Sequence, residues 1–171
     1  INWLAASLLA FTIFFYAVVY TIWLKRHTVQ NIVIGGAAGA FPPIIGHICA
    51  TGSIGVEALI LFLIIFLWTP PHFWALALVN KSDYRVAKIP MLPIVYGDMT
   101  TRKNIFIYSL LLMPCAYLPW ILNYSGNFYM IVVTLLNIEF IRRSIYLIKE
   151  NKNSERGLFV YSIFYLSILF A

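Results

Sequence analysis

Charged residues are scarce in this sequence: Lys, Arg, Asp and Glu make up 11% of its 171 residues, against roughly a quarter in a soluble domain. Cysteine is scarcer still, and both Cys49 and Cys115 stand inside apolar runs. The low charge excludes an ordinary soluble globular domain, and the two isolated cysteines predict packing thiols rather than a disulfide framework or a metal knuckle. The chain is 62% hydrophobic and 17% aromatic, which is typical of a protein embedded in lipid.

The apolar residues form six runs, each close to the roughly 20 residues that a helix needs to cross a bilayer. We therefore predict an all-α integral membrane protein, with one transmembrane domain over residues 1–171. The chain begins and ends inside apolar runs, so we expect a fragment of a longer protein. The predicted spans are about 3–24, 32–50, 58–79, 105–122, 128–147 and 157–171.

The basic residues predict the orientation of these spans. The loops "TGSIGVE" and "NYSGN" contain no Lys or Arg. By the positive-inside rule the basic side is cytoplasmic, which places Ile1 outside. Because the net charge of +6 is interleaved with lipid-spanning segments, it indicates orientation and excludes a nucleic-acid surface. All twelve basic residues end or follow the first, third and fifth spans: Lys25, Arg26, Lys81, Arg85, Lys88, Arg102, Lys103, Arg142, Arg143, Lys149, Lys152 and Arg156.

Two neighbouring spans contain double prolines, Pro42-Pro43 and Pro70-Pro71. Each pair removes backbone donors and is expected to kink or break its helix. Two such sites in adjacent spans indicate a cavity. His72 and His47 lie close to these prolines, and each is interpreted either as a hydrogen-bond partner for freed carbonyls or as a ligand.

Two further features of the spans are interpreted as packing devices. Gly35 and Gly39, in "GGAAG", have the GxxxG spacing that permits close approach of helices. Glu139 lies inside the fifth span, where an unpaired charge is costly. Arg142 and Arg143 follow it at i+3 and i+4, so we interpret Glu139 as part of a structural ion pair, with a catalytic acid as the alternative.

The longest polar stretch is "NKSDYRVAKIPMLPIVYGD", residues 80–98. It is either a solvated connector or the polar wall of a site. Asn80 and Asp83 offer the oxygen ligands that Mg²⁺ prefers, and the nearby basic residues suit phosphates. A hard-cation site and phosphate-binding residues on one membrane face, over an apolar cavity, would fit a lipid diphosphate.

Two blocks of sequence, "YTIWLKRHTVQNIVIGGAAGAFPPIIG" (20–46) and "WTPPHFWALALVNKSDYRVAKIPMLPIVYG" (68–97), resemble the heme O synthase (protoheme IX farnesyltransferase) family of the UbiA superfamily of intramembrane prenyltransferases. The resemblance implies nine transmembrane helices around a lipid-facing cavity, about six of them in this chain. It implies transfer of farnesyl from farnesyl diphosphate to a vinyl group of heme B, with addition of water, giving heme O and diphosphate. The implied location is the bacterial inner membrane; the resemblance leaves the oligomeric state open.

The resemblance also implies roles for particular residues. Asp83, with Asn80, matches the second Asp-rich motif in a reduced form and would bind Mg²⁺. Lys25 and Arg26 would bind the diphosphate and act with Asp83 in catalysis. Tyr20 and Lys25 resemble a Tyr–Lys pair of the superfamily, but at a spacing of i+5 rather than i+4. The other implied substrate-binding residues are His72, Arg85 and Lys103.

The first Asp-rich motif, of the type N-D-x-x-D, has no counterpart in this sequence. We therefore expect this chain alone to be inactive. One alternative function is a UbiA-type prenyltransferase for a quinone or another aromatic acceptor. The other, from a different class, is a secondary transporter, since spans interrupted by Gly and Pro also occur at transporter binding sites.

Overall fold

The computed structural model describes residues 2–149 and 154–171. Within these ranges every regular element is helical, which confirms the predicted all-α class. The predictions for Ile1 and Lys152 concern residues outside these ranges. The helices are α1 (Trp3–Phe14), a π-helix (Phe15–Leu24), α2 (Lys25–His27), α3 (Asn31–Ala40), α4 (Pro42–Thr51), α5 (Val56–Val79), α6 (Lys81–Val86), α7 (Leu92–Val95), α8 (Asp98–Ile121), α9 (Asn127–Ile148) and α10 (Ser154–Leu169).

Two predicted boundaries differ from the structure. The predicted span 32–50 is two helices, α3 and α4, because Pro42-Pro43 occupies the first turn of α4 and cannot donate to the preceding helix. The predicted span 105–122 begins earlier, at Asp98. Gly97 at φ 84° ends the preceding segment, and an acidic residue in the first turn favours a helix start. Lys103 therefore lies on α8 and not in a loop.

Four helical runs are long and apolar enough to cross a membrane: Trp3–His27, Asn31–Thr51, Val56–Val79 and Asp98–Ile121. The first of these joins α1, the π-helix and α2 without interruption. The helix α9 has 22 residues but carries three charged side chains, and α10 has 16 residues. The crossing of the membrane by α9 and α10 stays a prediction.

The helix α5 is the centre of the bundle and packs against α3, α4, α8 and α10. Ala75 and Ala77 on α5 are fully buried, and such small residues let neighbouring helices approach closely. The helix continues unbroken through the buried pair Pro70-Pro71. The predicted break therefore occurs at the first double proline and not at the second.

Glycines allow the first run of helix to approach α3, and α3 to approach α5. A Cβ on Gly35 would overlap the ring of Tyr20, and one on Gly36 would lie 2.8 Å from Cγ2 of Thr69. A Cβ on Gly39 would meet no atom of the described residues within 4 Å. The close contacts thus use Gly35 and Gly36, on two sides of α3, and the GxxxG interpretation was wrong for Gly39.

The predicted ion pair at Glu139 is confirmed. Its carboxylate accepts from Nε of Arg142 at 2.5 Å and from Nε of Arg143 at 2.6 Å. Arg143 also donates to the carbonyl of Gly157 at 3.1 Å and lies 4.8 Å from the ring centroid of Tyr161. The charge cluster therefore ties α9 to α10.

Candidate active-site cavity

A cavity of about 390 Å³ lies between the Trp3–His27 run, α3, α5 and the polar segment after α5. Its volume falls in the range of small-molecule sites. Its wall combines aromatic rings, a glycine-rich helix face and a few polar groups. The lining residues are Tyr16, Tyr20, Lys25, Asn31, Ile32, Gly35, Gly36, Gly39, Ile65, Trp68, Thr69, Phe73, Tyr84, Ile89 and Met91.

Tyr20 and Lys25 meet at this cavity because the helix between them is a π-helix. The backbone N–H of Lys25 donates to the carbonyl of Tyr20, five residues earlier. A π-helix repeats its hydrogen bonds at i+5 rather than i+4. The five-residue spacing therefore places both side chains on one face, where an α-helix would need a spacing of four.

Asn31 fixes the backbone beside Lys25. Its Nδ2 donates to the carbonyl of Lys25 at 3.2 Å, which satisfies one acceptor at the C-terminal end of α2. The side chain is 1% exposed, and its Oδ1 has no hydrogen-bond partner in the described part of the chain. A buried acceptor without a partner is costly, so Asn31 adds an unsatisfied polar group to the residues that line the cavity.

Tyr84 belongs to the polar segment after α5 and lines the cavity. The carbonyl of Asn80 accepts from the backbone N–H groups of both Asp83 and Tyr84, and this turn starts α6. Burial, together with the negative charge of Asp83, raises the pKa of Tyr84 above its ordinary value of 10.0. Tyr84 is thus a neutral hydroxyl donor at physiological pH.

Asp83 directly precedes Tyr84 in the sequence but does not line the cavity. Its side chain is exposed, and its Oδ1 accepts from the hydroxyl of Ser82 at 3.2 Å. Over residues 2–149 and 154–171, no three His, Cys, Asp or Glu side chains gather into a metal-binding group. Mg²⁺ is usually held by one or two carboxylates, with waters and substrate phosphates completing its shell. Asp83 and Asn80 would supply only part of such a shell, which phosphate oxygens would have to complete, and their role as Mg²⁺ ligands stays a prediction.

Of the predicted site residues, only Tyr20 and Lys25 line the cavity. Arg26, Arg85 and Lys103 are exposed and lie outside its wall. No acidic side chain among the described residues forms an ion pair with these three cations or with Lys25. Lys81, in contrast, pairs with Asp98 at 2.5 Å.

His72 also lies outside the cavity wall, behind Trp68. Its Nδ1 is 2.7 Å from Oγ of Ser162, and its ring stacks between Trp68 at 4.3 Å and Phe159 at 4.8 Å. These contacts attach α5 to α10. The substrate-binding role of His72 stays a prediction.

Sequence reasoning missed several wall residues, above all Asn31, Trp68 and Tyr84. Asn31 and Tyr84 each had a signal: Asn31 is a polar residue at the head of a long apolar run, and Tyr84 adjoins Asp83. Trp68 had none, because five tryptophans occur in this aromatic chain and only packing distinguishes one from another.

The model of the UbiA prenyltransferase family matches residues 1–169. The chain belongs to this family and is a multi-pass membrane protein. Among curated proteins it is similar to the protoheme IX farnesyltransferase of Brucella ovis, with 53% identity over 176 residues. It is also similar to protoheme IX farnesyltransferase 1 of Mesorhizobium japonicum, with 56% identity over 175 residues.

Each of these matches covers 100% of this chain and 56% of the relative. The chain thus spans little more than half the length of the curated relatives it matches. No solved structure matches the chain significantly.

Proposed function

We propose that the protein is an intramembrane prenyltransferase that converts heme B, farnesyl diphosphate and water to heme O and diphosphate. The observation that carries this proposal is the cavity itself, which has Lys25, Asn31 and Tyr84 at its polar part and aromatic rings along its wall. Such a space suits a molecule with an anionic head and a long apolar tail. The names of the similar proteins from Brucella ovis and Mesorhizobium japonicum support the choice of substrates.

In the proposed reaction, the bond between C1 of the farnesyl group and the diphosphate oxygen breaks, and both electrons leave with the diphosphate. The vinyl π electrons of heme B form the new carbon–carbon bond. Water adds to the resulting cation and loses a proton to solvent, which leaves a hydroxyl group.

The residues of this chain act on the charges that develop. Lys25 lies where a diphosphate can be bound, with Arg26 exposed beside it, and the neutral hydroxyl of Tyr84 can donate to a phosphate oxygen. Positioned donors of this kind stabilise a leaving group as its negative charge grows. The rings of Tyr16, Tyr20 and Phe73 also line the cavity, and aromatic faces favour the positive charge of an allylic cation.

Asp83 and Asn80 would hold Mg²⁺ in this proposal. When bound, the ion neutralises the negative charge that develops on the diphosphate. Asp83 suits this role because it is the acidic residue next to Tyr84, which reaches the cavity, and because its own side chain is exposed.

The proposed location is the bacterial inner membrane, with the basic loops on the cytoplasmic side. Lys25 and the polar segment 80–91 would then face the cytoplasm, where they can receive a water-soluble diphosphate head. A transporter is less well supported, because Glu139, the acidic residue inside a predicted span, is already paired with two arginines.

The test is a product assay on the intact protein in detergent or nanodiscs, with farnesyl diphosphate, Mg²⁺ and either heme B or 4-hydroxybenzoate. We expect heme O, identified by mass spectrometry, and no prenylated benzoate. Formation of prenylated benzoate without heme O would show that the acceptor is an aromatic compound and not heme B. Substrate uptake into proteoliposomes without any prenyl transfer would favour the transporter.

A further inference from the structure

A second apolar space adjoins the cavity. It is a groove of about 300 Å³ between α5 and α10, lined by Ile65, Trp68, Ile163, Leu166, Ser167 and Phe170. Ile65 and Trp68 also line the main cavity. These two side chains are therefore the wall between the two spaces.

This wall lies at the deep end of the cavity. Lys25 and Tyr84 are close to helix ends, whereas Trp68 and Ile65 precede the end of α5 at Val79 by 11 and 14 residues. At 1.5 Å per residue they lie roughly 16 and 21 Å along the helix from that end. A prenyl chain bound with its diphosphate at Lys25 would point its last isoprene unit toward Trp68.

Trp68 is held in place by contacts outside the cavity. Its Nε1 donates to the carbonyl of Ser162 at 2.8 Å, and its ring stacks on His72 at 4.3 Å. His72 is in turn fixed by the hydroxyl of Ser162 at 2.7 Å. Ser162 thus anchors both rings, through its carbonyl and through its hydroxyl, so Trp68 forms a rigid wall rather than a movable one.

We propose that Trp68, together with Ile65, sets the length of the prenyl chain that the enzyme accepts. A chain of three isoprene units ends at this wall. A fourth unit would have to pass into the groove between α5 and α10, which Trp68 and Ile65 close off. His72 and Ser162 act as positioning residues for Trp68. This inference rests on the proposed prenyl transfer.

The experiment compares farnesyl diphosphate with geranylgeranyl diphosphate as donors for the intact protein, using heme B as acceptor. Trp68→Ala should raise the ratio of kcat/KM for geranylgeranyl over farnesyl diphosphate about tenfold or more, since hydrophobic pockets discriminate among chain lengths on this scale. Ile65→Ala opens the same wall without removing a hydrogen bond, and it should shift the ratio in the same direction. Ile163→Ala, the matched control, enlarges only the groove and should leave the ratio unchanged.

Folding of each variant is first checked by a single size-exclusion peak. If Trp68→Ala does not fold, the ratio measured for Ile65→Ala tests the inference. Suppose that Trp68→Ala and Ile65→Ala fold and leave the ratio of kcat/KM for the two donors unchanged, while the wild type transfers farnesyl. This result would overturn the inference about the wall but not the proposed function. An equal shift in Ile163→Ala would overturn that inference too, because general loosening would then explain the effect. Absence of prenyl transfer to any acceptor in the wild type would instead overturn the proposed function.

Discussion

Lys25 donates its backbone N–H to the carbonyl of Tyr20, five residues earlier, and both side chains line one cavity. The Tyr–Lys pair of the superfamily has a spacing of i+4, whereas Tyr20 and Lys25 have a spacing of i+5. The π-helix Phe15–Leu24 accounts for that spacing, because each of its hydrogen bonds joins two residues that are five apart in the sequence. The π-helix thus brings Tyr20 and Lys25 to the same cavity despite the longer spacing.

Lys25 and Arg26 provide a matched pair of basic residues, one lining the cavity and one exposed. We expect Lys25→Met to lower kcat/KM for farnesyl diphosphate by roughly 100-fold, the loss typical of removing one positioned charge-stabilising donor. Arg26→Met should have a smaller effect, since Arg26 is exposed and does not line the cavity. Steady-state kinetics on the intact protein measure both, and a larger loss for Arg26→Met would contradict this assignment.

Gly35 has no room for a side chain beside Tyr20. Gly35→Ala should displace the ring and lower the free energy of unfolding by about 1–3 kcal/mol, the usual cost of overpacking. Gly46→Ala is the control, because in the described part of the chain a Cβ there meets no atom within 4 Å and alanine is the better helix former. Thermal unfolding in detergent should separate the two variants, and equal stability would show that Tyr20 moves aside at no cost.

His72 is expected to act on stability, through its contacts with Ser162, Trp68 and Phe159. His72→Phe keeps a ring in the stack but removes the hydrogen bond with the Ser162 hydroxyl, which still donates to the carbonyl of Phe159 at 2.6 Å. The expected cost is therefore that of one hydrogen bond, about 0.5–1.5 kcal/mol. Titration of heme B into wild type and variant should give the same Soret spectrum. Loss of a Soret shift in His72→Phe would show instead that the imidazole ligates heme iron.

Asp83 and Asp98 stand in the same polar stretch, but Asp98 is paired with Lys81. Asp83→Asn should sharply lower turnover and weaken the dependence on Mg²⁺, because it removes the carboxylate that we assign to the ion. Asp98→Asn makes the same chemical change and should keep the Mg²⁺ dependence of the wild type. Near-normal activity and Mg²⁺ response in Asp83→Asn would reduce this stretch to a connector.

The pKa of Tyr84 is raised by burial and by Asp83, so Tyr84 holds its proton more tightly in the folded state than in the unfolded state. Its contribution to stability is fully present below pH 10 and is lost as the pH rises further. The free energy of unfolding, measured between pH 8 and pH 11, should therefore fall less steeply at the alkaline end in Tyr84→Phe than in the wild type. Identical slopes would place Tyr84 in contact with water.

Membrane class and most helix positions followed from composition and hydropathy, since lipid requires long apolar helices whose backbone bonds are satisfied internally. The Glu139 ion pair was also predictable, because its partners lie one helical turn away. The early start of α8 was not, since Arg102 and Lys103 made its first turns resemble a loop. Arg102 instead pairs with Glu155 of α10 at 2.8 Å, a contact between residues far apart in sequence.

The sequence predicts that the polar stretch 80–98 and the basic residues near the membrane surface belong to a diphosphate site, and this role stays a proposal. Which of them share a cavity could not be predicted, because that depends on packing between helices. The close approach of α3 to Tyr20 and to Thr69, and the attachment of Trp68 and His72 to Ser162, join positions up to 94 residues apart. Local patterns carry the hydrophobic and electrostatic preferences of each segment, whereas the shape of the cavity arises from contacts between segments, and no local pattern contains those.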